Sequence, residues 1–357
     1  MIRREAIAWP FASSAMQAAF CLAIAALLAM PFVLHRLHAP SLAARMSAVP
    51  VAAGPYSFIE RQIYEEKSDI DLLFVGESVM WVGVDVPQVA EGITAALGHT
   101  PRVLNLGWAG TGNDLVYYVL RELLERRHVR HVVLRLHTVD QMPVAPHPES
   151  YRWLCDCGDD VVLPALSVLE RASAFGVEVI GGPRNLLSAL RPDLVGASPF
   201  ADTLGYYPNE KGYWNRPYRR LDLAPPVLAP ATVILGPATR SRLLPEHVAE
   251  GPYQSSYGRA TRDLLAAHHI HVTLLRFPAR SEARATTLPV ASEEVARYDG
   301  ATILAPEPRA LFQHLSDIEV DELYYYDDLH MNRNGSKYFT GAILPALVEV
   351  QREIDAQ

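Results

Sequence analysis

Short, near-continuous apolar runs separated by amphipathic stretches constrain this 357-residue chain more than any other feature. A strand covered on both faces has no solvent side for polar residues, so it reads as an unbroken apolar run. That pattern belongs to parallel sheets lying between two helix layers. Runs of this kind lie at residues 70–75, 103–106, 131–136, 232–235, 271–277 and 323–326. Between them, residues 86–97, 114–127, 258–268 and 335–350 have helical periodicity, and a further helix at 58–67 leads into the first strand. In the last helix Phe339, Ile343, Leu344 and Leu347 form one apolar stripe. The expected fold class is α/β: a three-layer α/β/α domain around a parallel sheet.

The amino terminus stands outside that domain. No charged side chain occurs from Ala6 to Leu34, and residues 11–30 alone supply the ~20 apolar residues that cross a bilayer. Arg3 and Arg4 precede the run, which favours a cytoplasmic amino terminus with the rest of the chain exported. A cleavable signal is the competing reading, with Ser41-Leu42-Ala43-Ala44 as a small-residue cleavage site. The apolar region of such signals is only ~7–15 residues long, so an uncleaved, single-pass anchor is expected. The resulting division is a stub and transmembrane anchor at 1–34 and an Ala-, Pro- and Ser-rich linker at 35–55. The α/β domain follows at 56–350, with a tail at 351–357.

One stretch breaks the rhythm of strands and helices. Residues 141–230 carry clustered Pro, Gly and aromatic residues with patchy helical periodicity, and read as an insertion at the carboxyl edge of the sheet, where such folds bind ligands. It holds Tyr206, Tyr207, Tyr213, Trp214 and Tyr218 interleaved with Lys211, Arg216, Arg219 and Arg220. Two readings stay open: the rings pack the insertion onto the main domain, or Tyr213, Trp214 and Arg216 line a groove for an anionic glycan. The formal net charge of -8 argues against a nucleic-acid binder, whose affinity rests on basic surface. Of the three cysteines, Cys21 lies in the span, and Cys155 and Cys157 are two local thiols or a strained bridge. Two thiols alone make a poor zinc site, and neither a metal nor a cofactor is expected.

Two motifs about 250 residues apart carry the chemistry. The first strand ends in Gly76-Glu77-Ser78, which delivers a hydroxyl to the carboxyl edge of the sheet. A serine there is a weak nucleophile until an imidazole takes its proton. The late segment Asp327-Asp328-Leu329-His330 supplies one. Its three-residue spacing lets Asp327 accept from Nδ1 of His330, leaving Nε2 to face the serine. Asp328 reads as a solvent-facing or helix-start group, and the plain alternative for Asp327 and His330 is capping of the helix beginning near Asn334. A third segment, Asn105-Leu106-Gly107-Trp108-Ala109-Gly110, joins a strand to a helix, and a glycine there lets backbone N–H approach an oxyanion. Its glycines run in the wrong order for a dinucleotide loop.

Together these three segments resemble the SGNH/GDSL hydrolase superfamily: Gly76-Glu77-Ser78 looks like its nucleophile block, 105–110 like its glycine block, and 327–330 like its Asp-x-x-His block. The resemblance covers residues 68–140 and 260–350. It implies a flavodoxin-like α/β/α fold, a Ser78–His330–Asp327 triad and oxyanion donors from the Ser78 and Gly110 backbones. Glu77 stands where Asp is commoner. The family's Gly-x-Asn-Asp block should follow the third strand, but Leu136-His137-Thr138-Val139-Asp140 stands there, leaving His137 or a backbone group as the third donor.

With the anchor, the chain is more similar to exported members that modify surface polymers, of the alginate-acetylation and teichoic-acid D-alanylation kind. The function this implies is a serine-dependent O-acyltransferase or esterase acting on envelope or exopolysaccharide acyl groups, partnered by a multipass membrane acyltransferase. The alternative is a non-catalytic glycan-binding or scaffold subunit of an envelope assembly.

Overall fold

The computed structural model describes residues 13–37, 41–47, 56–110, 112–143, 167–191, 219–236, 240–247, 251–325 and 327–357. Three helices come first: α1 (Ser14–Arg36), α2 (Leu42–Ser47) and α3 (Tyr56–Tyr64). Next come β1 (Ile70–Gly76), α4 (Ser78–Gly83), α5 (Val86–Leu97), β2 (Val103–Gly107), α6 (Asn113–Leu124) and β3 (Val129–Arg135). Within the expected insertion lie α7 (Val168–Leu190) and α8 (Pro230–Val233). The chain continues through β4 (Leu243–Glu246), α9 (Pro252–Ala267), β5 (His271–Leu275), β6 (Leu288–Ala291), α10 (Ser292–Arg297) and β7 (Thr302–Leu304). It closes with α11 (Pro308–Phe312), α12 (Asp317–Asp321) and α13 (Arg333–Asp355).

Five strands form one parallel sheet in the order β2-β1-β3-β5-β7, a doubly wound arrangement whose direction reverses around β1. The side chains of β1 explain its two covers. Leu73 and Val75 enter a core with α3, α6 and α9, while Leu72 and Phe74 enter a second core with α5 and α13. Adjacent residues of a strand point to opposite faces, so an apolar run serves both. Phe339, Ile343 and Leu347 are buried as the periodicity requires, and Leu344 is half-buried over Gly92 of α5.

Several expectations differ from the fold. Residues 232–235 are not a core strand. Pro230 opens a helical turn in which Thr232 bonds back to Ala229, and only Ile234 bridges β7, in antiparallel fashion. Nor do 323–325 join the sheet: the Nδ2 of Asn332 takes the carbonyls of Glu322 and Tyr324, and one bridge pairs Tyr324 with Met331. A three-residue strand, β7, holds the sheet edge instead. A small parallel pair, β4 with β6, lies apart from the main sheet. The expected linker contains α2, whose Leu42 and Met46 are buried, and α13 continues to Asp355 through most of the expected tail. Where patchy periodicity was read, α7 runs unbroken for 23 residues. Ser167 starts it with a capping box, accepting from the Glu170 N–H while Glu170 accepts from the Ser167 N–H.

Among the described residues of the second half, the closest backbone approach at a glycine is at Gly335, where an added Cβ would sit 2.1 Å from the Leu323 carbonyl oxygen. Because a main-chain atom cannot swing aside, Gly335→Ala is expected to destabilise the chain by about 1–3 kcal/mol or more, seen as a lowered thermal midpoint.

Candidate active site

The site is built on the carboxyl edge of β1, the strand at which the sheet order reverses and where ligands bind such sheets. Glu77 is the N-cap of α4, leaving Ser78 as its first helical residue. The short helix lies directly on β2 because Gly107 has no side chain: a Cβ there would meet the N, Cα and Cβ of Trp81 at 2.7 Å. Asn105 reinforces the seat. Its Nδ2 donates to the Met80 carbonyl at 2.9 Å, and its Oδ1 accepts from the Gly107 N–H at 2.9 Å. On the far side, a Cβ on Gly83 would strike the Phe277 ring at 2.5 Å.

Against this fixed serine the late motif closes as its spacing requires. Ser78 Oγ lies 2.7 Å from His330 Nε2, and Nδ1 of the same ring is hydrogen-bonded to Asp327 Oδ2. The other oxygen of Asp327 accepts the backbone N–H of His330 at 2.8 Å and of Leu329 at 2.9 Å. Burial raises the pKa of Asp327, but the hydrogen bonds from the His330 ring and from both backbone groups outweigh it and hold the carboxyl at about 2. The aspartate is therefore ionised wherever a histidine can act as base. With the aspartate facing Nδ1, the favoured tautomer carries its proton there and leaves Nε2 to accept from the serine.

The loop carrying the motif is tied down along its length. Asn332, rather than Asp327, caps α13, accepting from the N–H groups of Asn334 and Gly335. Tyr325 N–H donates to the His330 carbonyl at 2.9 Å. Asp328 is not simply a solvent-facing group: its carboxylate takes both the Ser281 hydroxyl and, at 2.8 Å, the Ser281 N–H. Ser281 and Asn332 hold this loop in place, and the Ser281–Asp328 pairing, 47 residues apart, leaves no local signal in the sequence.

Of the expected oxyanion donors, Ser78 has its N–H at the first position of a helix, where no intrahelical acceptor exists. Gly110 is exposed with φ at +93°, a conformation that glycine takes without strain. Its loop is held to the nucleophile strand by the Trp108 N–H, which donates to the Gly76 carbonyl at 3.1 Å. His137 is not placed as a third donor. Its Nδ1 is 2.6 Å from Glu294 Oε1 and its Nε2 is 3.2 Å from Glu77 Oε1. Burial pulls the His137 pKa down, but the Glu294 and Glu77 carboxylates overcome it and push it to about 9.

His137 belongs instead to a buried charge network behind the nucleophile. Glu77 pairs with both Arg135 and His137, Arg135 also binds the Gln141 side chain, and Glu294 accepts the His137 N–H at 2.7 Å. Burial opposes ionisation of Glu77, yet the facing Arg135 holds its carboxyl far below the usual range. The two anions and two cations balance, which is what makes burying them tolerable. The network ties the N-cap of α4 to β3 and to α10. The sequence offers one signal for it: Arg135 is a charged residue directly after the apolar run Val132-Val133-Leu134.

Tyr213, Trp214 and Arg216 lie outside the described residues, as do Cys155 and Cys157. The chain is described again from Arg219, whose carbonyl accepts from Asn334 Nδ2 at 2.7 Å, so the insertion rejoins the domain at the start of α13. Among the described residues no group of three or more His, Cys, Asp or Glu is arranged to hold a metal ion. No protein-family model matches the chain, and neither does any curated protein compared with it.

His137 is protonated in the fold at pH values where an ordinary histidine has lost its proton, so its contribution is full below about 6.5 and is lost as pH rises through about 9. The thermal midpoint of the detergent-solubilised chain is expected to fall between pH 7 and pH 10. In Glu294→Gln it is expected to be lower at pH 7 by the equivalent of about 3–5 kcal/mol, with a weaker alkaline decline.

Proposed function

We propose that this chain is a serine-dependent acyl-ester enzyme of SGNH/GDSL type, an O-acyltransferase or esterase acting on acylated envelope or exopolysaccharide glycans. The observation that carries the reading is the 2.7 Å contact between Ser78 Oγ and His330 Nε2, with the ring held from behind by an ionised Asp327. Nucleophile, base and orienter stand in hydrogen-bond sequence, which is the requirement for activating a serine. Among the described residues α1 alone is long and apolar enough to cross a membrane, which supports a membrane-anchored enzyme with its amino terminus inside and the α/β domain exported.

In the first half-reaction Ser78 Oγ attacks the acyl carbon while its proton passes to His330 Nε2. The resulting oxyanion faces the backbone N–H groups of Ser78 and Gly110. The imidazolium then protonates the departing alcohol, leaving the acyl group on Ser78. In the second half-reaction His330 deprotonates a sugar hydroxyl or water, which attacks the acyl carbon, and the proton returns to Ser78 Oγ. Transferase and esterase differ only in that final acceptor. A multipass membrane acyltransferase would supply the acyl group in the transferase case.

A scaffold or glycan-binding role is favoured by one observation: His137, the candidate for a third oxyanion donor, is committed to two carboxylates. Incubating the solubilised chain with acetylated and unacetylated polymers, and following acetate transfer and release together, separates the readings. Turnover is expected to fall by about 10⁶-fold in Ser78→Ala and about 10⁴-fold in Asp327→Asn. No turnover in a folded chain, with polymer binding indifferent to Ser78→Ala, would leave the scaffold reading.

A further inference from the structure

The helix α7 presents an apolar face to solvent. Val168 is 85% exposed, Leu169 80%, Ile180 78%, Leu187 55% and Leu190 70%, values unusual for large aliphatic side chains on a folded domain. At 3.6 residues per turn, Leu169, Ala172, Gly176, Ile180, Pro183 and Leu187 fall along one stripe that carries no charge. The charged residues Glu170, Arg171, Glu178 and Arg184 lie off it, and Gly181, on the opposite side, is buried. Among the described residues after α2, the other exposed large apolar residues, Val227, Leu244 and Ile318, are scattered.

What covers this face follows from where α7 sits. It packs against α1: the Phe175 ring is 5.6 Å from that of Phe32, and Leu34 Cδ1 would be 3.2 Å from a Cβ on Gly182. Phe32 and Leu34 fall in the last two turns of α1. With 23 residues, α1 rises about 35 Å, close to the ~30 Å of a hydrocarbon core, so its final turns reach the boundary between acyl chains and headgroups. A helix resting on those turns is at that boundary too. It also packs on α2, whose Leu42 and Met46 are buried, so α7 is joined to the domain as well as to the span.

We propose that α7 is a second membrane contact: its Leu169–Ile180–Leu187 stripe seats in the headgroup–acyl boundary of the bilayer that α1 crosses. An apolar stripe backed by charged residues is the form of helix that lies in the interfacial plane. The domain is then held to the membrane at two points, a span and an in-plane helix, instead of swinging on a tether. The inference uses α1 as a membrane span and does not depend on the chemistry at Ser78.

The test uses the full chain with Cys21, Cys155 and Cys157 replaced by Ala, reconstituted in phosphatidylcholine–phosphatidylglycerol vesicles. Single cysteines are introduced as Leu169→Cys, Ile180→Cys, Leu187→Cys, Arg171→Cys and Leu22→Cys, each labelled with an environment-sensitive fluorophore; of these, Arg171 is an exposed residue off the stripe. Labels at 169, 180 and 187 are expected to emit blue-shifted and to be quenched by lipid bearing a nitroxide near the headgroup. The label at 171 is expected to stay water-like, and that at 22 to be quenched by a nitroxide near the bilayer centre. Quenching at 22 with water-like emission at 169, 180 and 187 would overturn the proposal, and loss of quenching at 22 would remove its premise. Blue-shifted labels that lipid nitroxides do not quench, with disulfide-linked dimers of Ile180→Cys, would assign the face to a second copy and overturn it as well.

Discussion

The site depends on one close approach, the backbone of α4 lying on Gly107 of β2. With a Cβ position only 2.7 Å from the Trp81 main chain, any other residue at 107 would lift the helix whose first residue is Ser78. Asn105, two residues earlier on the same strand, holds the seat by bonding to the Met80 carbonyl and to the Gly107 N–H. Moving a nucleophile by even about 1 Å relative to its base can cost ~10²-fold in rate. The 105–110 segment thus contributes packing whatever else it does, and its glycines have different tasks. Gly107 admits α4, whereas Gly110 takes the positive φ that its exposed loop requires.

Two electrostatic units meet at β1 without sharing members. In front, Asp327, His330 and Ser78 form an open chain with the imidazole partly accessible, as a proton carrier needs to be. Behind, Glu77, Arg135, His137 and Glu294 are buried and mutually neutralised. Consecutive residues Glu77 and Ser78 belong to different units because the chain turns from strand to helix between them. On the proposed reading the first unit moves protons, and the second fixes the turn from which Ser78 is presented.

The Asp-x-x-His geometry was legible because it is local. Asp327 closes on the backbone and ring of a residue three positions later, and those bonds follow from spacing. The sheet was legible at β1, β2, β3 and β5, but not at the β7 edge. There Thr302–Leu304 is too short to carry a pattern, and the apolar run at 232–235 is diverted by Pro230 into a helical turn. The charge network was hidden for a different reason. Glu77 reaches partners 58 and 60 residues away, and His137 meets Glu294 across 157, pairings that depend on strand register and on how α10 docks. Likewise Ser167 and Glu170 are a local start signal for α7 inside a stretch of patchy periodicity, and its exposed stripe acquires meaning only beside α1.

The central claim is that Ser78 is an activated nucleophile, and its direct measurement is mass spectrometry of the chain after exposure to a fluorophosphonate. The expected result is one covalent adduct, mapped to the peptide carrying Ser78, slowed strongly in His330→Ala and absent in Ser78→Ala. A folded chain that takes up no adduct, or that is labelled equally in His330→Ala, would contradict the account.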